Sequence, residues 1–147
     1  MPLPARWIDL QVIEVLRYDF TFNNAGLNSG NANTTAAVAA AALNAGINIG
    51  TLPQGAIPIQ CNCYVDVAFN NGTNNLFSVG LTATGTDLVN GGSLASKAAV
   101  ITAVPIAAIA TSKATTDQQN TPIYLSTSQT GTAATTGQAT VQITYYR

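Results

Sequence analysis

Cys61 and Cys63 are the first residues in which chemistry would be sought: two thiols, two positions apart, in the stretch PQGAIPIQCNCYVDVAF. A thiol becomes a nucleophile when a neighbouring base or cation draws off its proton, and a metal ligand when further N or S donors converge with it. The chain has no histidine. That removes the commonest general base, the Cys-His and Ser-His-Asp arrangements, and the usual companion of cysteine at zinc. An intrachain disulfide is not expected either. Positions i and i+2 of a strand share one face with Cα atoms roughly 6.5–7 Å apart, the outer limit for a bridge. Both cysteines are read as small buried hydrophobes. The six acids, Asp9, Glu14, Asp19, Asp66, Asp87 and Asp117, show no paired spacing, and no phosphate-binding loop, nucleophile elbow, dinucleotide fingerprint or calcium loop is present. No catalytic activity, metal or cofactor is expected.

The element that carries the cysteines is the clearest in the chain. From Ile57 to Phe69 every odd position is apolar (Ile57, Ile59, Cys61, Cys63, Val65, Val67, Phe69). A period of two over thirteen residues predicts a long strand with its odd positions toward a core. Leu52 to Gly55 suits a turn before it, and Asn70 to Asn75, NNGTNN, suits a hairpin turn after it, with Phe77, Val79 and Leu81 in a partner strand. Upstream, Trp7 to Asn23 alternates with apolar residues at even positions. Glu14 interrupts that series, which predicts a bulge or two successive strands. Ile47 to Leu52, Ile123 with Leu125, and Ala139 to Tyr145 read as strands. The apolar run from Val100 to Ala110 reads as a strand buried on both faces, kinked or edge-lying at Pro105. The Ala-rich segment after Thr34 predicts a short helix capped by Asn33 or Thr34 and stopped at Gly46. A helical turn is expected in SLASKAA, and a break from Gly85 to Ser93. The total is seven or eight strands without a βαβ rhythm, hence an antiparallel sandwich or barrel. Residues 1–23 form an N-terminal arm and first strand and residues 24–147 the body, in one domain overall.

Composition narrows the partners. Only 7% of the 147 residues are charged, while 47% are hydrophobic, and neutral polarity comes from 20 Thr and 14 Asn. So little charge is unusual for a protein that must stay dispersed by itself, and suits one packed in an assembly. The five cations, Arg6, Arg17, Lys97, Lys113 and Arg147, are scattered, and the net charge is −1, so nucleic acid is not an expected partner. No apolar run reaches the ~18 residues of a membrane span, and no membrane partner is expected. MPLPARWIDLQVIEV lacks the order of a signal peptide, so synthesis in a cytoplasm is expected.

Three stretches carry a resemblance: Leu52 to Ala56 opening a long strand, the Asn/Gly-rich Asn70 to Asn75, and Thr130 to Gly137 leading to a final alternating strand that ends at Tyr145 and Tyr146. Together they resemble the head decoration or cement proteins of tailed bacteriophages, over about two fifths of the chain. The resemblance implies an all-β antiparallel β-sandwich, jelly-roll-like, with at most short helices. It also implies a virion protein that sits on the capsid exterior and stabilises the shell, made in the host cytoplasm. The implied partners are the major capsid protein and further copies of the chain, as homodimer or homotrimer. The residues expected at the capsid or oligomer interface are Pro2, Pro4, Trp7 and Tyr146. Pro2 and Pro4 resist strand pairing and make a loose arm, with Trp7 as an aromatic anchor. Trp7 equally suits the chain's own core. The competing expectation is a head-fibre or tail-associated sandwich that recognises host carbohydrate, for which Tyr64, Tyr124 and Tyr146 are the outward aromatics.

Overall fold

The structure is a computed structural model, and it describes residues 12–22, 46–70, 72–97, 99–103, 119–130 and 134–147. Among the described residues eight strands run in chain order: β1 Ile13–Thr21, β2 Ile47–Leu52, β3 Ile57–Val67, β4 Asn74–Gly80, β5 Val89–Ser93, β6 Ala99–Ala103, β7 Thr121–Thr130 and β8 Gln138–Tyr146. They form two four-stranded antiparallel sheets, ordered β1-β8-β3-β6 and β2-β7-β4-β5. The pairs β1 with β8, β2 with β7, β3 with β6 and β4 with β5 are those of a long antiparallel ribbon rolled onto itself. The sandwich is therefore jelly-roll-like. Phe20, Cys61, Cys63, Val65, Val141 and Ile143 from the first sheet meet Leu52, Phe77, Val79, Ile123 and Leu125 from the second, all nearly free of solvent contact. Each large member contributes about 1.5–3 kcal/mol by leaving water.

Several strands depart from the sequence pattern for local physical reasons. β1 carries no bulge: it runs against β8 in unbroken register from Ile13 opposite Tyr146 to Thr21 opposite Gln138. Glu14 keeps its inward place because the Tyr145 hydroxyl donates to its Oε2 at 2.7 Å and Arg147 lies 3.5 Å from Oε1. In β3 the alternation is reset twice, by register shifts at Pro58/Gln60 and Val65/Val67. As a result Ala56 and Pro58 are buried while Ile57 and Ile59 are half-buried. Cys61, Cys63, Val65 and Phe69 point inward, and Val67 is 45% exposed.

The expected hairpin at Asn70 to Asn75 is absent: β3 and β4 belong to different sheets, so this connection crosses between layers. The chain break expected from Gly85 to Ser93 contains β5, whose glycines leave room for the Phe77 ring, which a Cβ on Gly92 would strike. Residues 95–97 bend rather than make a helical turn, and Ser93 Oγ accepts the Ala95 N–H at 3.3 Å. β6 is an edge strand that ends before Pro105. The turn before β3 is as expected: Ala56 N–H donates to the Pro53 carbonyl at 3.0 Å, and Gly55 takes φ +78°. The helix expected after Thr34 falls on residues outside those described.

Candidate interaction surface

The register of β1, β8 and β3 lays out the solvent face of the first sheet row by row. Ile13, Tyr146 and Ile57 form the first row, Val15, Thr144 and Gln60 the second, and Arg17, Gln142 and Asn62 the third. Asp19, Thr140 and Tyr64 form the fourth, and Thr21, Gln138 and Val67 the last. The two ends of this face differ in character. At the first, Ile13 and Val15 are 58% and 56% exposed, with half-buried Ile57 and Tyr146 beside them, and Val12, just ahead of β1, is 54% exposed. Exposed large aliphatic side chains on adjacent rows make this end of the face an apolar patch.

The middle of the face is polar and internally tied. Thr140 Oγ1 donates to Asp19 Oδ1 at 2.6 Å, and the Arg17 guanidinium reaches the same oxygen at 3.1 Å. The Thr140 hydrogen bond is the largest influence and holds the Asp19 carboxyl below its ordinary range; desolvation opposes it, and the hydrogen bond and charge of Arg17 add to it. Asn62 Nδ2 lies 3.4 Å from the Tyr64 hydroxyl. A shallow depression lies among Arg17, Tyr64, Asp66, Thr140 and Gln142.

At the far end, Thr21, Phe22, Val67, Thr135, Thr136, Gly137 and Gln138 line a second shallow depression of about 330 Å³. Its wall is the loop before β8, held by Asn70 and by the Phe22 N–H donating to the Gly137 carbonyl at 3.1 Å. Gly137 has φ +149°, and a Cβ there would run into the Phe69 ring, which packs on Phe20 at a centroid distance of 5.7 Å.

Of the residues expected at an interface, Tyr146 lies in the apolar corner, between Ile13 and Ile57. Pro2, Pro4 and Trp7 fall outside the described residues, in the segment that enters the fold at Val12. Tyr64 and Tyr146 sit at different ends of one sheet and Tyr124 on the other sheet, opposite Gly80 and Asn48, so the three tyrosines make no common platform. The corner aliphatics Val12, Ile13 and Val15 were not singled out from the sequence. The signal was present in VIEVL, where apolar residues occupy both parities of one strand.

Both thiols are free and buried. Burial, with the neighbouring Cys63, pushes Cys61 up to about 12; burial, with the charge of Asp66, pushes Cys63 up to about 12. Protonated and enclosed, neither is poised for nucleophilic or redox chemistry. Among the described residues no group of three His, Cys, Asp or Glu converges on a common point.

The fold defines a class: a jelly-roll-like antiparallel β-sandwich, here with exposed aliphatic side chains at one end of a sheet. A solved chain of the cyanophage Pam1 capsid asymmetric unit shares this fold, with a TM-score of 0.54 and 15% identity over 99% of this chain and 91% of that one. A chain of the capsid of Ralstonia phage GP4 does so with a TM-score of 0.50 and 17% identity, over 99% and 88% of the two chains. At such identities the likeness is one of fold. No protein-family model and no curated protein matches the sequence.

Proposed function

We propose that the chain is a structural virion protein without enzymatic activity that binds the outside of a phage capsid and stabilises it. The observation that carries this reading is the apolar corner of Val12, Ile13, Val15 and Tyr146 on a chain with 7% charged residues. The fold it shares with two phage capsid chains of similar length supports it. The corner would seat on the major capsid protein. Residues 1–11, with Pro2, Pro4 and Trp7, precede this corner in the sequence and would extend the contact to an adjoining subunit. Each aliphatic side chain brought fully out of water would contribute about 1.5–3 kcal/mol. A subunit bridging two lattice neighbours links both contacts, so modest interfaces add up to firm attachment. The low charge limits the desolvation cost of burying the sheet face. A carbohydrate-recognition module is the weaker reading, because its aromatic candidates lie on two sheets.

The test is cosedimentation of the chain with undecorated heads, followed by heat challenge of the particles. The wild type is expected to sediment with heads and to raise the temperature at which they rupture. Ile13→Asp with Val15→Asp, both at exposed positions, should fold normally and lose attachment. A wild type that remains in the supernatant overturns the proposal.

A further inference from the structure

The strands at the sheet edges are not alike. β2 shifts register between Asn48 and Gly50, and β5 and β6 have five residues each. β1 has nine residues, no proline and no bulge. The Phe22 N–H donates to the Gly137 carbonyl at 3.1 Å, and the Arg147 N–H donates to the Val12 carbonyl at 3.1 Å. In an antiparallel pair a residue turns its N–H and C=O the same way, and the next residue turns them the other way. The even residues of β1 therefore face β8, and Val15, Arg17 and Asp19 turn their backbone groups to the rim of the sheet. Among the described residues no strand pairs on that side. A long regular edge of this kind is a template for another strand.

The charges on this edge select the partner. Arg17 and Asp19 share the solvent face, and both side chains are 60% exposed. When two antiparallel copies of β1 are centred on Tyr18, Arg17 of each copy stands opposite Asp19 of the other. Moving the centre by one residue sets Arg17 against Arg17 or Asp19 against Asp19, a like-charge pair that opposes pairing. We infer that β1 is a self-association edge: two copies of this chain join β1 to β1, antiparallel about Tyr18, and their four-stranded sheets continue into one of eight strands. Backbone hydrogen bonds along the edge carry the attachment, and the two charge pairs fix register and partner. Residues opposite each other share a face, so the twofold axis stands perpendicular to the sheet and both apolar corners lie on one side of the dimer. Val15 and its copy are then about 20 Å apart along the strands. The dimer would present two corners to one coat surface, which deepens the capsid reading. Its test uses the purified protein alone, so the two can fail separately.

Arg17→Glu and Asp19→Arg test the pairing by charge exchange. Either variant alone brings like charges together at both crossings and should weaken self-association on the order of tenfold. Mixed in equal amounts, the two variants set opposite charges at both crossings again, and the mixed dimer should match the wild type. Both positions are exposed, so both variants are expected to fold. Asp19→Lys gives the same charge pattern should Asp19→Arg melt early. Analytical ultracentrifugation from micromolar to millimolar protein reads the dimer. A wild type that stays monomeric over this range overturns the inference. So do charge variants that associate as firmly as the wild type, or a mixture no firmer than its components. Loss of the dimer in Ile13→Asp with Val15→Asp, but not in the charge variants, would move the contact to the apolar corner and likewise overturn it. Dimers that form as expected yet leave undecorated heads bare refute the capsid reading alone.

Discussion

Asn70 and Thr135, sixty-five residues apart, clasp each other across the end of the sandwich. Asn70 Oδ1 accepts the N–H groups of Thr135 and Thr136 at 2.8 and 3.1 Å, and its Nδ2 donates to Thr135 Oγ1 at 2.9 Å. One side-chain amide thereby joins the segment leaving β3 to the segment entering β8. Asn70→Ala should lower stability by roughly 1–2 kcal/mol, since these bonds are solvent-accessible. Asn70→Asp keeps the acceptor and should cost less. Urea denaturation of the two variants checks the order; equal loss would remove the acceptor role assigned to Oδ1.

Val65 and Val67 have the same side chain in the same strand and opposite fates. Val65 is 3% exposed and Val67 45%. Val65→Asp should unfold the chain or destabilise it by roughly 3 kcal/mol or more, because its carboxylate would be buried without a partner. Val67→Asp should be close to neutral. Gln60→Asp should also be tolerated, while Asn62→Asp should cost more, because the Asn62 Oδ1 is buried. Thermal melts decide, and similar losses for Val65→Asp and Val67→Asp would contradict the register shift between them.

The buried thiols predict a loss of stability at high pH. Folded Cys61 and Cys63 hold their protons to about 12, against an ordinary value of 9.0. Below about 9 both folded and unfolded states are protonated and stability is flat. Between about 9 and 12 only the unfolded chain ionises, so stability declines as pH rises through that window. Tyr145, raised by burial and then by its hydrogen bond to Glu14, acts in the same direction. The Cys61→Ala, Cys63→Ala double variant should lose roughly 1–2 kcal/mol per site at neutral pH and show a flatter alkaline limb. Denaturant titrations at pH 8 and 10.5 measure the slope, and a thiol reagent should label neither cysteine before unfolding.

Asp19 predicts the complementary acid limb. Its carboxyl is held low, first by the Thr140 hydroxyl and then by Arg17, so the folded state favours the ionised form. That contribution is complete above the unfolded carboxyl's pKa, near 3.9, and is lost as pH falls through the lower folded value. Thr140→Val should raise the Asp19 titration midpoint, read by carbon-13 shifts of its carboxyl, more than Arg17→Gln does. The reverse order would make Arg17 the principal cause.

Much of the strand content was legible because alternation is local. Ile123 with Leu125, and Ala139 through Tyr145, mark β7 and β8 on the pattern of two alone, and the absence of histidine removes the Cys-His and Ser-His-Asp arrangements before any fold is known. VNGGS carries no such pattern, yet it forms β5 beside β4, with Gly92 opposite Phe77 where a Cβ would strike the ring. Which strands pair could not be read locally either. Asn70 to Asn75 has hairpin composition, yet β3 pairs with β8 and β6 while β4 pairs with β7 and β5, so the link crosses between the sheets, and the sequence of the link itself does not encode those distant partners. The same holds at the surface: Val12, Ile13 and Val15 look like core residues in the sequence, and Val67 does too. Alternation states which residues share a face, but only the assembled sheets, with register shifts at Pro58/Gln60 and Val65/Val67, decide which face meets water.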